Sequence, residues 1–299
     1  MATPIGPPAQ TLRLDADGVR ALLAAQAAPL AQLSLHRVAA GFDNDVWRLG
    51  SDWAVRLPRH AGAVDLLLAE QRLLPLLAPI LPLPIPTPVV LGRPEPGLFD
   101  APFSVVSWFD GHPSGDRLAA SEAWALGGFL RRLHAAPLPV AEAPRNPVRG
   151  VPLRLRAEAF EERLRAVESS LEPVLRRAAR ASFDAGVKAS PAARRVWLHG
   201  DLHPRNLVQT HSRLTAVLDW GDLTAGDPAT DLAVAWWLFD AAGRQRLWAA
   251  YGEVDASTVA RARAWAALIA VTFVGLAAVG DEGAAKLGRS ALTRLIVSS

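Results

Sequence analysis

The chain is 299 residues long, 51% hydrophobic and 20% charged, which excludes a disordered polymer and leaves enough material for two lobes with buried cores. Its 32 Lys and Arg face 29 Asp and Glu, and a net charge of +3 gives no broad attraction to nucleic acid. The lack of cysteine excludes disulfides and thiolate metal sites, and residues 1–10 have neither the basic nor the apolar region of a secretory signal, so a cytoplasmic protein is expected.

In chain order, residues 33–39, 46–49 and 53–57 are short β-like runs around a turn at 41–45, the pattern of an antiparallel meander. Residues 63–77 place Val64, Leu67, Leu68, Leu74 and Leu77 at helical spacing, with Pro75 limiting the helix and Glu70 left for a neighbour. Prolines at 75, 79, 82, 84, 86 and 88 exclude a helix through the following connector. Strands are predicted at 88–91 and 103–109, and Asp110-Gly111-His112-Pro113 breaks the second, a natural boundary between lobes.

Beyond that point the pattern is mostly helical. Ser121 is the expected N-cap of a helix over 122–134, and residues 153–180 carry an arginine-studded helical pattern. Glu158, Glu161, Glu162, Glu168 and Glu172 interleave with those arginines, which predicts a solvated face with intrahelical ion pairs rather than a nucleic-acid surface. Residues 264–280 are uncharged but short for a membrane span, so a buried core helix is predicted and no membrane partner. Asp227-Pro228 reads as a helix start.

The chemistry concentrates between residues 196 and 222, where an apolar run, a polar loop and a second apolar run put carboxylates at strand ends. Phosphoryl transfer needs a carboxylate at the acceptor hydroxyl and oxygen ligands for the Mg²⁺ that bridges the nucleotide phosphates. His199, Asp201 and Asn206 stand at the spacing of a kinase catalytic loop, and Asp219-Trp220-Gly221 stands where kinases carry Asp-Phe-Gly.

With these residues the chain resembles the aminoglycoside phosphotransferase and choline kinase-like family. Members carry a loop of the type H-G-D-x-x-x-x-N, matched by His199 to Asn206, and an I/L-D-W/F/L-G segment, matched by Leu218 to Gly221. The resemblance spans nearly the whole chain and implies an α+β, two-lobed protein-kinase-like fold. A small antiparallel-sheet lobe over residues 1–106 would bind nucleotide, and a larger, mainly helical lobe over 107–299 would hold the catalytic and acceptor sites.

Carried over by position, the resemblance makes Asp201 the catalytic base and Asn206 and Asp219 the metal ligands. Arg56, in place of the usual lysine, would grip the phosphates with Glu70 as its partner, and the Gly41 turn with Asn44 would cover them. The nucleobase would meet backbone groups near Ser107 and Phe109. Mg²⁺ and ATP or GTP are the implied cofactor and cosubstrate, a small-molecule hydroxyl acceptor the implied partner, and a monomer or homodimer the expected state.

His199 and His134 read as structural, and Asp222 and Asp231 as steadying the loop or lining the acceptor site. Two other functions use the same residues. His199, Asp201 and His203 at alternate positions would suit a divalent-metal hydrolase, and loss of one catalytic group would leave a nucleotide-binding pseudokinase. The acceptor stays open. An aminoglycoside would want an acidic rim, for which Asp222, Asp231, Asp240, Glu253, Asp281 and Glu282 are candidates, whereas Trp236, Trp237, Trp248 and Trp265 would line a pocket for a macrolide-like alcohol if they were not core. A sugar, amino alcohol or homoserine-like acceptor is equally compatible.

Overall fold

Short apolar runs separated by turn residues fold, in the first hundred residues, into one antiparallel sheet. The computed structural model describes residue 6 and residues 8–296. Helix α1 (Ala16–Gln26) is capped by the Asp15 carboxylate, which accepts from the Gly18 amide. It buries Val19, Leu22 and Leu23 in a core shared with strands β1 (Leu35–Ala40), β2 (Asn44–Leu49) and β3 (Trp53–Pro58). Helix α2 (Val64–Leu77) follows, then β4 (Pro88–Gly92) and β5 (Phe103–Ser107), and the sheet order is β1-β2-β3-β5-β4. Strand β3 lies at its centre and is buried from Ala54 to its end, so any side chain it aims at the cleft is held by neighbours on both sides.

Several boundaries shift from expectation. The turn is shorter than residues 41–45, because Asn44 already pairs with Pro58 in the sheet. Residue 33 closes a short 3-10 turn instead of starting β1. Strand β5 stops at Ser107, since the Trp108 amide turns aside to the Asp52 carbonyl. Helix α2 runs through Pro75 to Leu77: the lost backbone hydrogen bond is offset by Leu73, Leu74 and Leu77, which anchor its last turns in a second, larger core.

That second core belongs to the helical lobe. Strand β6 (His112–Pro113) leads to α3 (Glu122–His134), α4 (Ala157–Ala166) and α5 (Pro173–Lys188), then to β7 (Val196–Leu198), β8 (Leu207–Thr210), β9 (Arg213–Val217) and β10 (Thr224–Gly226). Helices α6 (Ala229–Leu232), α7 (Val234–Leu238), α8 (Ala241–Tyr251), α9 (Ala256–Gly275) and α10 (Glu282–Ile296) complete it. Residues 264–275 of the uncharged segment lie in α9, which is largely buried from Ala264 onward and packs between α5 and α10, whereas residues 276–279 form a 3-10 turn with none of them buried. Trp236, Trp237 and Trp265 are core as well, and Trp248 packs against that core from its edge.

Two expectations here are corrected. Ser121 does not cap α3, because its own backbone is helical (φ −62°, ψ −36°) and its hydroxyl reaches only the Glu122 carboxylate. The arginine-rich segment breaks into two helices, and its ion pairs join them: Arg180 of α5 binds Glu161 of α4, and Arg176 binds Glu168 in the connection. The break follows from Pro173, which starts a new helix and cannot extend an old one.

Helix α3 crosses α8 at Gly127, where an added Cβ would lie 2.4 Å from the Leu247 carbonyl oxygen and 2.9 Å from the Ala250 Cβ. Gly127→Ala is expected to lower stability by about 1–2 kcal/mol, because overpacking against backbone (about 1–3 kcal/mol) outweighs about 1 kcal/mol of helix propensity. The readout is a lower denaturant midpoint at unchanged slope. A raised midpoint would show that the crossing has slack.

Candidate active site

Strand β7 ends at Leu198 and the chain must turn sharply to bring Asp201 out of the core. Gly200 makes the turn at φ +88°, and a Cβ there would sit 2.3 Å from the Asp222 carbonyl oxygen, so no other residue fits without displacing that backbone. The buried carboxylate of Asp231, on α6, accepts the His199 amide at 2.8 Å and the Gly200 amide at 2.9 Å. Its Oδ2 also meets His134 Nε2 at 3.2 Å, and His134 Nδ1 meets the Tyr251 hydroxyl at 2.8 Å. Burial pushes the Tyr251 hydroxyl up to about 12, so it stays a neutral partner for the ring.

His199 is wholly buried and works on the backbone. Its Nε2 lies 2.8 Å from the Leu218 carbonyl and its Nδ1 accepts from the Asp201 amide, a pairing that specifies the Nε2–H tautomer. Both nitrogens are therefore engaged. His203 likewise uses Nδ1 to accept from the Arg205 amide, capping the short turn Pro204–Asn206. The alternate-position metal site of a hydrolase loses His199 as a ligand by this count. Among the described residues no three His, Asp or Glu side chains group into a metal cage.

The predicted oxygen-bearing residues lie on stretches of backbone that are tied to one another. The Asn206 side-chain amide donates to the Asp201 carbonyl at 2.9 Å, and the Asn206 carbonyl accepts from the Leu218 amide at 2.8 Å, immediately before Asp219. Asp219 has a left-handed backbone (φ +60°), an uncommon conformation for a residue other than glycine that turns the chain sharply just after β9. The Asn206 Oδ1 makes no hydrogen bond within the described residues.

Asp201 has partners that the sequence did not reveal. Arg149, on the long loop between α3 and α4, places Nη2 on Asp201 Oδ1 and Nε 3.2 Å from Asp222 Oδ2. Asn146 holds the other Asp222 oxygen at 2.6 Å, and the loop is pinned further where Thr224 donates to the Pro144 carbonyl and the Asp227 amide to that of Gly150. His203 Nε2 lies 3.2 Å from Asp201 Oδ2. Burial works to raise the Asp201 carboxyl, but Arg149 and then His203 overcome it and hold the group well below the usual carboxylate range.

The opposite wall comes from the sheet. Arg56, buried in β3, makes a two-pronged ion pair with Glu70 of α2, with Nη2 3.1 Å from Oε1. Burial pushes Glu70 up to about 7 despite Arg56, and the charges of Asp219 and Asp43 add to the rise. At the Gly41 turn, Arg59 donates to the Gly41 carbonyl and Asp43 meets His60 at 3.2 Å. Asn44 is buried with its Oδ1 unpartnered. The Ser107 amide is spent on the Thr87 carbonyl, whereas among the described residues neither backbone group of Phe109 is hydrogen-bonded.

This wall is crowded with negative charge. Burial first, then Asp219 and, more weakly, Asp222 push the Asp43 carboxyl above its usual range against the pull of His60. Repelling carboxylates beside an unpaired amide oxygen fit a hard divalent cation, which takes one or two protein oxygens and completes its shell with phosphate and water. The acceptor side differs. Of the six acidic rim candidates, Asp222 is neutralised by Arg149, Asp231 is buried under the loop, Asp240 caps α8 and Asp281 is bound by Arg205. Glu253 and Glu282 stay exposed.

The chain matches the family model described as "Phosphotransferase enzyme family" over residues 34–267. Among solved structures it is similar to the GDP complex of aminoglycoside 2'-phosphotransferase-IIIa, with 21% identity, a TM-score of 0.68, and coverage of 94% of this chain and 98% of that one. It is also similar to macrolide 2'-phosphotransferase MphH from Brachybacterium faecium, with 23% identity, a TM-score of 0.60, and coverage of 92% and 97%. No curated protein sequence matches the chain. At these identities the likeness to solved structures is one of fold, the two-lobed kinase-like architecture.

Asp231→Ala is expected to cost about 3 kcal/mol or more, since it strands two buried amides at about 1–3 kcal/mol each. Asp231→Asn recovers only part, because its NH₂ group must oppose one of the two amides. Chemical denaturation of both variants checks this, and wild-type stability of Asp231→Ala would contradict it.

Proposed function

The chain belongs to this phosphotransferase enzyme family, and we propose that it is a Mg²⁺-dependent kinase that moves the γ-phosphoryl group of ATP or GTP to a hydroxyl of a small molecule. The observation that carries the reading is the meeting of Asp201, Asn206 and Asp219 at neighbouring strand ends, with Asp219 close enough to act electrostatically on the Arg56–Glu70 pair. Nucleotide would lie between the lobe of residues 1–106 and that of residues 107–299.

In this reading Asn206 and Asp219 would hold Mg²⁺, which supplies charge neutralisation between the β- and γ-phosphates. Arg56, kept straight by Glu70, steadies the phosphates, Asn44 lies beside the covering turn, and the free backbone groups of Phe109, two residues beyond Ser107, meet the base edge. Asp201 accepts a hydrogen bond from the acceptor hydroxyl and aims its oxygen in line with the γ-phosphorus. As the new O–P bond forms and the bond to the β-phosphate oxygen breaks, the hydroxyl proton passes to Asp201 and the nucleoside diphosphate leaves. A carboxylate held so far below its usual range is a weak base in the ground state. Its work there is orientation, and it takes the proton late, when the attacking oxygen has become acidic.

The solved relatives named above act on aminoglycosides or macrolides, and an antibiotic is one acceptor class that this reading admits. Asp201→Asn is expected to lower kcat by about 10²-fold or more with Mg²⁺–nucleotide affinity retained, and chelation of Mg²⁺ to stop turnover reversibly. A nucleotide-consumption screen over aminoglycosides, macrolides and small metabolic alcohols measures both. Ester hydrolysis supported by metal alone, without nucleotide binding, would replace this reading.

The pH dependence follows from Arg149. In the wild type Arg149 and His203 hold Asp201 well below the usual carboxylate range, so it gives kcat/KM no acidic limb near the ordinary Asp value. Arg149→Ala removes the largest influence that lowers its pKa while burial and His203 remain, so an acidic limb is expected to appear at higher pH than in the wild type. A pH–rate profile without that limb would show that Arg149 does not set the protonation of Asp201.

A further inference from the structure

Burial alone does not keep water from Asp201, since 22% of its side chain is exposed. Each of its oxygens instead has a nitrogen beside it: Arg149 Nη2 lies on Oδ1, and His203 Nε2 lies 3.2 Å from Oδ2. His203 is buried, and its ring packs edge-on against Phe273, so it is fixed in place. Arg149 reaches Asp201 from another segment and is 21% exposed, which leaves it room to move.

A folded strap delivers this arginine. Asn146 Oδ1 accepts the Val148 and Arg149 amides, both at 2.9 Å, and so bends residues 146–149 into a tight turn. Asn146 Nδ2 donates to one oxygen of Asp222 at 2.6 Å, and Arg149 Nε donates to the other at 3.2 Å, so a single carboxylate binds both ends of the turn. The strap is tied down on either side, at the Pro144 and Gly150 carbonyls. Arg149 therefore has two anchors, Asp222 through Nε and Asp201 through Nη2. It can give up the second while the first keeps its charge paired.

Two anchors matter to a kinase that holds nucleotide before its acceptor has bound. Water can attack the γ-phosphorus as a hydroxyl does: a new O–P bond forms, the bond to the β-phosphate oxygen breaks, the proton passes to Asp201, and nucleoside diphosphate and inorganic phosphate leave. Resting on the kinase reading above, we propose that Arg149 selects the acceptor over water, covering Asp201 until the acceptor binds and then withdrawing onto Asp222. A lone water offers Asp201 one neutral hydrogen bond in exchange for a charge-assisted one, which is a losing exchange. An acceptor adds its contacts elsewhere in the cleft to that exchange and so displaces the guanidinium. Asn146 and Asp222 are positioning residues that act through Arg149.

The test needs no acceptor. It follows the release of inorganic phosphate from ATP and GTP by the full chain with Mg²⁺ alone, and nucleotide affinity by calorimetry. Arg149→Gln is expected to raise the rate about tenfold, the scale of one hydrogen bond to a charged group, at unchanged nucleotide affinity. Asn146→Ala removes no charge and should raise the rate in the same direction by less. Arg149→Lys should fall between wild type and Arg149→Gln, because an ammonium cannot span both carboxylates as the planar fork does. Adding Asp201→Asn to Arg149→Gln should return the rate to that of Asp201→Asn alone. A rate in Arg149→Gln at or below wild type with nucleotide still bound would overturn the proposal, and so would an increase that survives Asp201→Asn. Should Arg149→Gln lose nucleotide binding through damage to the fold, Asn146→Ala decides by the same two outcomes. A wild-type chain that binds no Mg²⁺–nucleotide would instead remove the kinase reading itself.

Discussion

The carboxylate of Asp231 is buried beneath the turn between β7 and the loop that carries Asp201, and it accepts two consecutive backbone amides there. A charge in that position is costly unless it is well hydrogen-bonded, and here His134 adds a third contact. The arrangement makes the loop backbone part of the core. Gly200 can then turn within van der Waals reach of Asp222, and His199 can tie the loop to the end of β9, so that residues 201, 206 and 219 are placed by packing and not by their own flexibility. A site built this way loses little entropy when substrates arrive, which is the condition for precise in-line geometry.

Charge is divided across the cleft. On the sheet side, Asp43, Asp219 and Glu70 repel one another around the single buried cation Arg56, a balance that favours added positive charge. On the opposite side, Arg149 is shared between Asp201 and Asp222. The same carboxylate, Asp201, therefore lies between a wall that attracts cations and a wall that carries the Arg149 guanidinium. Its protonation is governed by the second wall, through a loop that does not belong to the strand framework.

Much of this was legible in the sequence because it is local. The order of strands and helices follows from hydrophobic spacing, Pro and Gly; the core character of α9 follows from its length and lack of charge; and Asp201, Asn206 and Asp219 stand out by type and spacing on adjacent strand ends. The structural roles of His199 and His134 were also visible in outline. What the sequence misread were details decided by competition. Ser121 is helical because residues 119–122 already turn, and Pro75 is tolerated because the leucines around it are buried. The arginine-rich segment pairs across two helices because Pro173 starts the second.

The amino-acid sequence by itself determined the kinase-like fold class, the loop that carries Asp201 and Asn206, and the identity of the cation on β3, since each depends on residue type at short range. Only the tertiary structure decided that Arg149, 52 positions before Asp201, would hold its carboxylate, and that Asp231 would lie under the loop and not on an acceptor rim. A guanidinium can reach any carboxylate that folding brings near it, and nothing in its neighbours along the chain says which one. Long-range electrostatic pairing is set by the path of the backbone, and that path is fixed by the packing of both cores together.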